Sequence, residues 1–293
     1  MKLGFVSAIL DGWTFEEMID TASEMGFSCV EVACWPQGKA ERRYAGVSHI
    51  DTDNLSDEKA AYILNYCKAR KVEISSLAYY PNTLDGNLEK RASVVAHLKN
   101  VIRASHKLGV NMVTTFIGRD QTKSVEQNLE LVKEVWPPII ALAEELGVKI
   151  AIENCPMLFG EDQWPGGQNL MTTPPIWRRV FEILPSPNLG INYDPSHFVW
   201  QQIDYVKPLY EFKNKIFHGD IHIFYNSTKY PSVQFHSEIM SDCTCILYQL
   251  QPALPEVHGK FIPYKGKLLF QHPIRLPILK EAVSCQCMSD FLL

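Results

Sequence analysis

The sequence lacks three features that define common classes of protein. No apolar run approaches the ~18–20 residues that span a bilayer, so we expect no membrane partner. Basic residues are not in excess: 28 Lys and Arg stand against 33 Asp and Glu, and the net charge of -5 argues against a nucleic-acid partner. No Gly-x-Gly-x-x-Gly follows the first predicted strand, which removes the main reason to expect a dinucleotide-binding fold.

The cysteines also lack a regular framework. Two Cys-x-Cys pairs, at 243–245 and 285–287, differ from the usual Cys-x-x-Cys spacing of zinc sites, and no His lies at finger distance. We therefore expect reduced thiols and a cytoplasmic protein. The first ten residues are predicted to form a strand, because they carry a single Lys and no small-x-small cleavage site before Asp11.

One local pattern recurs along the chain. A helical pattern ends in glycine, at Gly26, Gly109 and Gly147, and an apolar run of strand length follows. The predicted strands cover about 2–9, 28–34, 72–79, 110–117, 148–153, 189–194 and 215–218. Alternating strands and helices indicate a parallel sheet, and the step of roughly 31 residues favours a (β/α)₈ TIM barrel over a doubly wound sheet. We expect a single domain over residues 1–293.

The helices between these strands carry recognisable ends. Thr14 with Glu17, and Ser124 with Gln127, match the capping box of a helix start. The pair 137–138, Pro-Pro, predicts a kink or a break in the helix that contains it.

One helix has an apolar stripe that predicts the environment of two histidines. The stripe consists of Leu88, Ala92, Val95, Leu98 and Ile102. His97 lies opposite to it and is predicted to be solvated, whereas His106 falls in phase with it and is predicted to lie in the core.

Residues that can carry chemistry follow three consecutive strands. Glu153, Asp194 and His218 end predicted strands five, six and seven, and in a barrel the ends of the strands meet at one rim. Carboxylate and imidazole together suit Mn²⁺, Co²⁺ or Zn²⁺, whereas Mg²⁺ prefers oxygen alone. The alternative is structural: Glu153 caps a helix and Asp194 forms a turn. Trp35, also at the rim, either stacks on a sugar ring or packs as a lid, and Glu31 either points into the barrel with a partner or faces a helix.

Four segments carry a family resemblance: 30–36, 150–154 (Ile-Ala-Ile-Glu-Asn), 192–197 (Asn-Tyr-Asp-Pro-Ser-His) and 215–218 (Lys-Ile-Phe-His). They resemble the sugar isomerase/epimerase superfamily of xylose-isomerase-like barrels, near the ketose 3-epimerases and inosose dehydratases. The resemblance covers residues 1–218, and 219–293 form a divergent tail.

The resemblance implies a function and roles for residues. In that superfamily one divalent metal is held by Glu, Asp, His and Glu from strands five to eight. Glu153 is then a ligand and the candidate acid/base, Asp194 a second ligand, and His197 a residue that contacts substrate, with Trp35 beside it. The implied activity is a metal-dependent isomerase or epimerase that moves a proton next to the carbonyl of a ketose, polyol or cyclitol ketone. The cofactor is one Mn²⁺, Co²⁺ or Mg²⁺, with Zn²⁺ also open, the partner is a small sugar, and a homo-oligomer is compatible with the sequence.

The chain departs from this pattern after strand seven. His218 is the first choice of ligand there and His222 the second. No strand eight ending in Glu is evident; residues 261–270 are predicted as a poor eighth strand, and Glu238 or Glu256 would have to substitute. The barrel is therefore expected to be incomplete or irregular after strand seven, and the abrupt change in composition raises the hypothesis of a different reading frame.

Two alternatives to an active isomerase remain open. The chain is either a catalytically impaired or non-catalytic remnant of the family or, less favoured, a zinc phosphodiesterase of the endonuclease IV type. The latter needs several metals, more rim histidines and a basic groove.

Overall fold

The computed structural model describes residues 2–37, 45–158 and 166–222 and the strands 244–248, 260–264 and 267–271. The strands are β1 Lys2–Val6, β2 Cys29–Ala33, β3 Glu73–Ala78, β4 Met112–Thr115, β5 Lys149–Glu153, β6 Leu189–Tyr193, β7 Ile216–His222, β8 Thr244–Tyr248, β9 Lys260–Tyr264 and β10 Lys267–Gln271. The helices are α1 Phe15–Glu24, α2 Asp57–Arg70, α3 Leu88–Lys107, α4 Val125–Val135, α5 Pro137–Glu145, α6 Pro174–Ile183, α7 Ser196–Trp200 and α8 Lys207–Glu211.

Strands β1 to β8 form a closed parallel barrel in sequence order, which confirms the predicted (β/α)₈ TIM barrel. The expectation that the barrel is incomplete after strand seven was wrong. β8 closes it by pairing in parallel with β7 on one side and with β1 on the other.

The prediction of 261–270 as the eighth strand was wrong. β9 and β10, which occupy this stretch, pair antiparallel with each other in a separate two-stranded sheet. Pro263 explains part of the difference, since proline lacks the N–H that a strand bonded on both sides must donate. The apolar run Thr-Cys-Ile-Leu-Tyr at 244–248 takes the place in the barrel instead.

The predicted glycine turns are present. Gly26, Gly109 and Gly147 all have positive φ, at 78°, 64° and 65°, the left-handed conformation that glycine adopts without a Cβ penalty. Lys71 takes the equivalent position after α2 with φ of 57°, so the same turn forms there without a glycine.

The helix ends also follow the sequence. The capping boxes of Thr14 with Glu17 and of Ser124 with Gln127 are both formed at the starts of α1 and α4. α4 ends at Val135 and α5 begins at Pro137, so the predicted break at 137–138 is confirmed.

The predicted face of α3 was wrong in part: Leu98 and Ile102 are buried as predicted, but Ala92 is exposed. Leu88 is 70% exposed, and the buried face consists of His97, Leu98, Val101, Ile102, Ala104 and Ser105. His97 is therefore buried, with Nε2 2.9 Å from the Cys34 carbonyl oxygen, whereas His106 is exposed. The predicted stripe began at Leu88, the first residue of α3, whereas the buried face begins further along the helix.

The core lies between the barrel and its helices, where Trp136 and Trp177 are among the largest fully buried side chains. Within the described part of the chain, every helix is too short or too polar to cross a bilayer.

Candidate active site

Four side chains meet at the C-terminal end of strands β5 and β6, and we call them the mouth group: Glu153, Cys155, Asp194 and His197. Glu153 is the last residue of β5, and Cys155 lies two positions beyond it. Asp194 directly follows β6, and His197 lies in the first turn of α7. The parallel strands thus bring the four residues to one rim.

The His197 imidazole is the centre of the mouth group. Its Nε2 lies 3.2 Å from Asp194 Oδ2 and 3.4 Å from Glu153 Oε1. A carboxylate oxygen of Glu153, a ring nitrogen of His197 and Cys155 Sγ lie within 4.8 Å of one another. Glu153 and Asp194 are buried, at 4% and 0% exposure, so these charges are largely removed from water.

Side-chain amides hold the two strand ends in place. The Asn154 side chain accepts a hydrogen bond from the Asp194 N–H and donates one to the Asp194 carbonyl, both at 2.8 Å. Asn169 donates to the carbonyls of Glu153 and Cys155, at 2.8 and 2.7 Å. The backbone of the mouth group is therefore fixed by bonds that leave the Glu153 carboxylate available.

His197 lies in an anionic environment. Burial opposes its charged form, but the neighbouring side chains of Cys155 and Asp194, through electrostatic interaction and hydrogen bonds, outweigh burial and raise the pKa of His197 well above its usual value. The mouth group therefore attracts positive charge.

A second set of side chains lies within the strands, and we call it the inner group: Glu31 of β2 with His218 and Asp220 of β7. All three are at most 1% exposed, and their ligand atoms lie within 4.8 Å of one another. His218 and Asp220 are two residues apart on one strand, so both side chains point into the barrel.

Glu31 points into the barrel and is saturated with hydrogen bonds, which decides between the two readings of this residue. Tyr80 donates to Oε1 at 2.7 Å, while Ser76 and Thr114 donate to Oε2 at 2.8 and 2.9 Å. Burial nevertheless raises the pKa of Glu31 to about 7, against the effect of these three donors.

Asn192 connects the two residues of β7. Its Oδ1 lies 2.9 Å from His218 Nδ1, and since an amide oxygen only accepts, Nδ1 carries the proton and Nε2 faces the Ser75 hydroxyl at 3.3 Å. Burial lowers the pKa of His218 to about 3, so the ring is neutral. Asn192 Nδ2 donates to Asp220 Oδ2 at 2.6 Å.

The sequence motifs did not indicate Asp220 as a site residue. Its Oδ1 is buried and accepts no hydrogen bond from the described residues. Burial and the charges of Glu31, Glu153 and Asp194 raise the pKa of Asp220 well above its usual value. The alternation of side chains in a strand was the available signal, because position 220 shares the inward face of position 218.

The predicted site residues therefore fall into two neighbouring sets. Glu153, Asp194 and His197 come together, while His218 lies with Glu31 and Asp220. That Glu153, Asp194 and His218 share one ion stays a prediction. The backbone of His222 lies in β7, but its side chain, like Glu238 and Glu256, is outside the described residues.

Trp35 is half-buried and belongs to an apolar wall beside the mouth group. It packs edge-on against Tyr79, with ring centroids 4.9 Å apart. Together with Cys155 it contacts the cluster formed by Tyr80 and Phe116. The wall offers the kind of aromatic surface on which the apolar face of a sugar stacks.

Comparison with known proteins identifies the family. The profile of the xylose isomerase-like TIM barrel matches residues 19–236, and the chain belongs to this family. Comparison with curated proteins gives no significant match.

Solved structures share the fold at low sequence identity. The 3-keto-D-glucoside 4-epimerase of E. coli is 15% identical with a TM-score of 0.64, covering 86% of this chain and 93% of the other. D-Psicose 3-epimerase in the presence of D-fructose is 14% identical with a TM-score of 0.63 and 86% coverage of both chains. The IolI protein with a bound zinc atom is 16% identical with a TM-score of 0.58, covering 84% and 88%.

Proposed function

We propose that the protein is a divalent-metal-dependent sugar isomerase or epimerase that moves a proton next to the carbonyl of a ketose, polyol or cyclitol ketone. The mouth group carries the proposal: two buried carboxylates from consecutive strands, Glu153 and Asp194, lie within 3.4 Å of one imidazole at the active end of the barrel. Solved barrels of the same fold include a ketose 3-epimerase and a ketoglucoside 4-epimerase, which supports the substrate class.

The donor atoms present fit a divalent cation. Glu31, Glu153, Asp194 and Asp220 place four buried carboxyl groups within electrostatic reach of one another. Excess negative charge in a low-dielectric interior is costly unless protons or a cation offset it. We propose Glu153 and Asp194 as ligands, with His218 as the ligand from β7 through Nε2, the nitrogen that now faces Ser75.

The protein groups then have separable tasks. The ion, when bound, polarises the substrate carbonyl and its neighbouring hydroxyl and so acidifies the C–H between them. Glu153 removes that proton as general base. His197, which lies beside both carboxylates, hydrogen-bonds a substrate oxygen. Trp35 packs on the sugar and limits the access of water.

The number of bases decides between the two reaction types. A single carboxylate can take a proton from one carbon and return it to the adjacent carbon on the same face, which is an isomerisation. Epimerisation returns the proton to the opposite face of the same carbon and needs a second base. Asp194 is proposed as a ligand only, so Glu153 is the one proposed base among the described carboxylates of the mouth group.

Hydrogen exchange tests the proposal. We expect the metal-loaded protein to incorporate deuterium from D₂O next to the carbonyl of one or more members of a panel of ketoses and inososes. Glu153→Gln should abolish exchange, and Glu130→Gln, an exposed change in α4, serves as the matched control. With substrate deuterated next to the carbonyl, transfer of the label to the adjacent carbon identifies an isomerase, even where no deuterium is taken up from D₂O, and loss of the label to water with inversion identifies an epimerase.

Metal content of the same purified protein distinguishes the proposal from the non-catalytic remnant and the zinc phosphodiesterase. A protein that binds one exchangeable ion but exchanges no substrate proton across the panel contradicts the proposed activity. A protein that binds no ion at all is the non-catalytic remnant, and several tightly bound zinc ions would favour the phosphodiesterase.

A further inference from the structure

Cys155 is a potential ligand that neither the sequence motifs nor the proposed mechanism uses. Its Sγ lies within 4.8 Å of a Glu153 carboxylate oxygen and a His197 ring nitrogen. It is a free thiol and only half-buried. Asn169 fixes the carbonyls of both Glu153 and Cys155, so the thiol and the carboxylate are held on one short, anchored segment.

The other described cysteines differ from Cys155. Cys29, Cys34 and Cys67 are all buried, and none of them belongs to a group of metal-binding side chains within the described residues. Burial raises the pKa of the Cys67 thiol to about 11, as expected for an inert thiol in an apolar environment. Among the cysteines whose side chains the structure describes, Cys155 is the one whose sulfur lies within 4.8 Å of both a carboxylate oxygen and an imidazole nitrogen.

We propose that Cys155 is a thiolate ligand of the cation held by Glu153 and Asp194, and that it makes this site prefer Zn²⁺ or Co²⁺ to Mg²⁺ or Mn²⁺. The inference rests on the metal site of the proposed function and names its metal class. Soft thiolate ligands select zinc and related ions, whereas Mg²⁺ and Mn²⁺ favour all-oxygen sites. On binding, the thiol loses its proton to the buffer and the sulfur donates an electron pair to the ion, with no change in oxidation state.

The geometry is compatible with this role. Ligand atoms 2.0–2.3 Å from one zinc ion lie roughly 3.5 Å from each other when the angles are tetrahedral. The separation of up to 4.8 Å between the Cys155 sulfur and the Glu153 carboxylate oxygen therefore requires only a small contraction around the ion. Cys155 also packs against Tyr80 and Phe116 and hydrogen-bonds the His197 side chain, so a ligand role would exchange the His197 contact for the ion.

Cobalt spectroscopy tests the proposal directly. The full-length protein is reduced, stripped of metal and loaded with Co²⁺, and its near-ultraviolet spectrum is recorded. A thiolate–cobalt charge-transfer band is expected in the wild type and should disappear in Cys155→Ala. Cys67→Ala, which removes a buried thiol from α2, is the matched control and should keep the band.

Affinity and proton release provide a second measurement. Zn²⁺ affinity should fall at least about tenfold in Cys155→Ala, since even residues outside a ligand set typically cost 10–100-fold, while Mg²⁺ affinity should not fall. Zinc titrations in buffers of different ionisation enthalpy should show one proton fewer released by the variant.

The outcomes separate this inference from the proposed function. If Glu153→Gln and Asp194→Asn lose metal but Cys155→Ala keeps its Zn²⁺ affinity and the wild type shows no charge-transfer band, the thiolate ligand is refuted and the metal site stands. If no variant changes metal binding, both are refuted.

Discussion

The mouth group and the inner group contain the same kinds of side chain but differ in how far these are satisfied. In the inner group Glu31 accepts three hydrogen bonds, and both ring nitrogens of His218 face a partner. In the mouth group Asn154 and Asn169 bond the backbone, the Ser196 N–H donates to Asp194 Oδ1 at 2.8 Å, and Glu153 and Asp194 both face His197.

This difference separates a scaffold from a site. A buried carboxylate that already accepts several hydrogen bonds, as Glu31 does, is held rigidly and has little to offer a ligand; within the described residues Asp220 Oδ1 is the exception in the inner group. A group whose backbone is fixed while its carboxylates converge on a single imidazole is preorganised for a ligand. Under the proposed function the metal and the chemistry belong to the mouth group, and Glu31, Ser76 and Tyr80 form a hydrogen-bonded support. His218 is the one residue of the inner group that is proposed as a ligand, through Nε2.

The largest expected effect is on the rate of proton exchange, when the proposed general base Glu153 is replaced. Glu153→Gln should reduce proton exchange by at least about 100-fold, because general bases typically contribute 10²–10⁴-fold. The initial rate of deuterium incorporation at saturating metal measures it. Activity within the error of the wild type would remove Glu153 from the mechanism.

A change in the inner group should affect stability instead. Tyr80→Phe removes the O–H that Tyr80 donates to Glu31 Oε1, and should cost about 1–3 kcal/mol of unfolding free energy, the usual cost of leaving a buried acceptor unpaired. Urea unfolding of the metal-free protein measures the loss. Unchanged stability together with weakened metal binding would reverse the assignment of the two groups.

The pH dependence of stability gives a further distinction. The folded protein raises the pKa of Glu31 from 4.5 to about 7, so it binds this proton more tightly than the unfolded chain does. The contribution of Glu31 to stability is therefore greatest below pH 4.5 and is lost as the pH rises to 7.

Glu31→Gln lacks this titration. Relative to the wild type, the variant should gain stability as the pH rises from 4.5 to 7, measured by urea unfolding in the presence of a chelator. His218, whose pKa is lowered to about 3, acts in the opposite direction below pH 6.5 in both proteins. Because the charge of Glu31 also raises the pKa of Asp220, the difference between the proteins reports Glu31 together with its effect on Asp220. A difference that is independent of pH would contradict the buried, protonatable Glu31.

The smallest expected effect is at the apolar wall. Trp35→Phe keeps an aromatic ring beside Tyr79 and should weaken substrate binding modestly, with little change in metal affinity. The KM for the substrate that exchanges fastest measures it. A loss of metal rather than of substrate affinity would show that the wall supports the mouth group and does not contact the sugar.

Local signals predicted the framework well. Capping boxes, glycine turns and the Pro-Pro break depend on neighbours within four residues, and all of them were present at the predicted positions. The rule that strand ends meet at one rim correctly predicted that Glu153 and Asp194 lie close together.

The features that the sequence did not predict depend on packing between distant parts of the chain. The buried face of α3 depends on which side of the helix meets the barrel, and an exposed Leu88 at its start shifted the predicted stripe. Which of two similar apolar runs completes a barrel depends on pairing with β1, some 240 positions earlier in the sequence, which no local pattern encodes. Glu153 lies two positions before Cys155, but His197, Tyr80 and Phe116 come from other strand–helix units, so the local sequence did not show that Cys155 faces them.

Metal content tests the central claim most directly. After incubation with Mn²⁺, Co²⁺ or Zn²⁺ and dialysis, we expect one ion per chain in the wild type and in Glu31→Gln, and none in a variant that combines Glu153→Gln with Asp194→Asn. One ion per chain retained by that double variant, with unchanged affinity, would contradict a metal site at the mouth of the barrel.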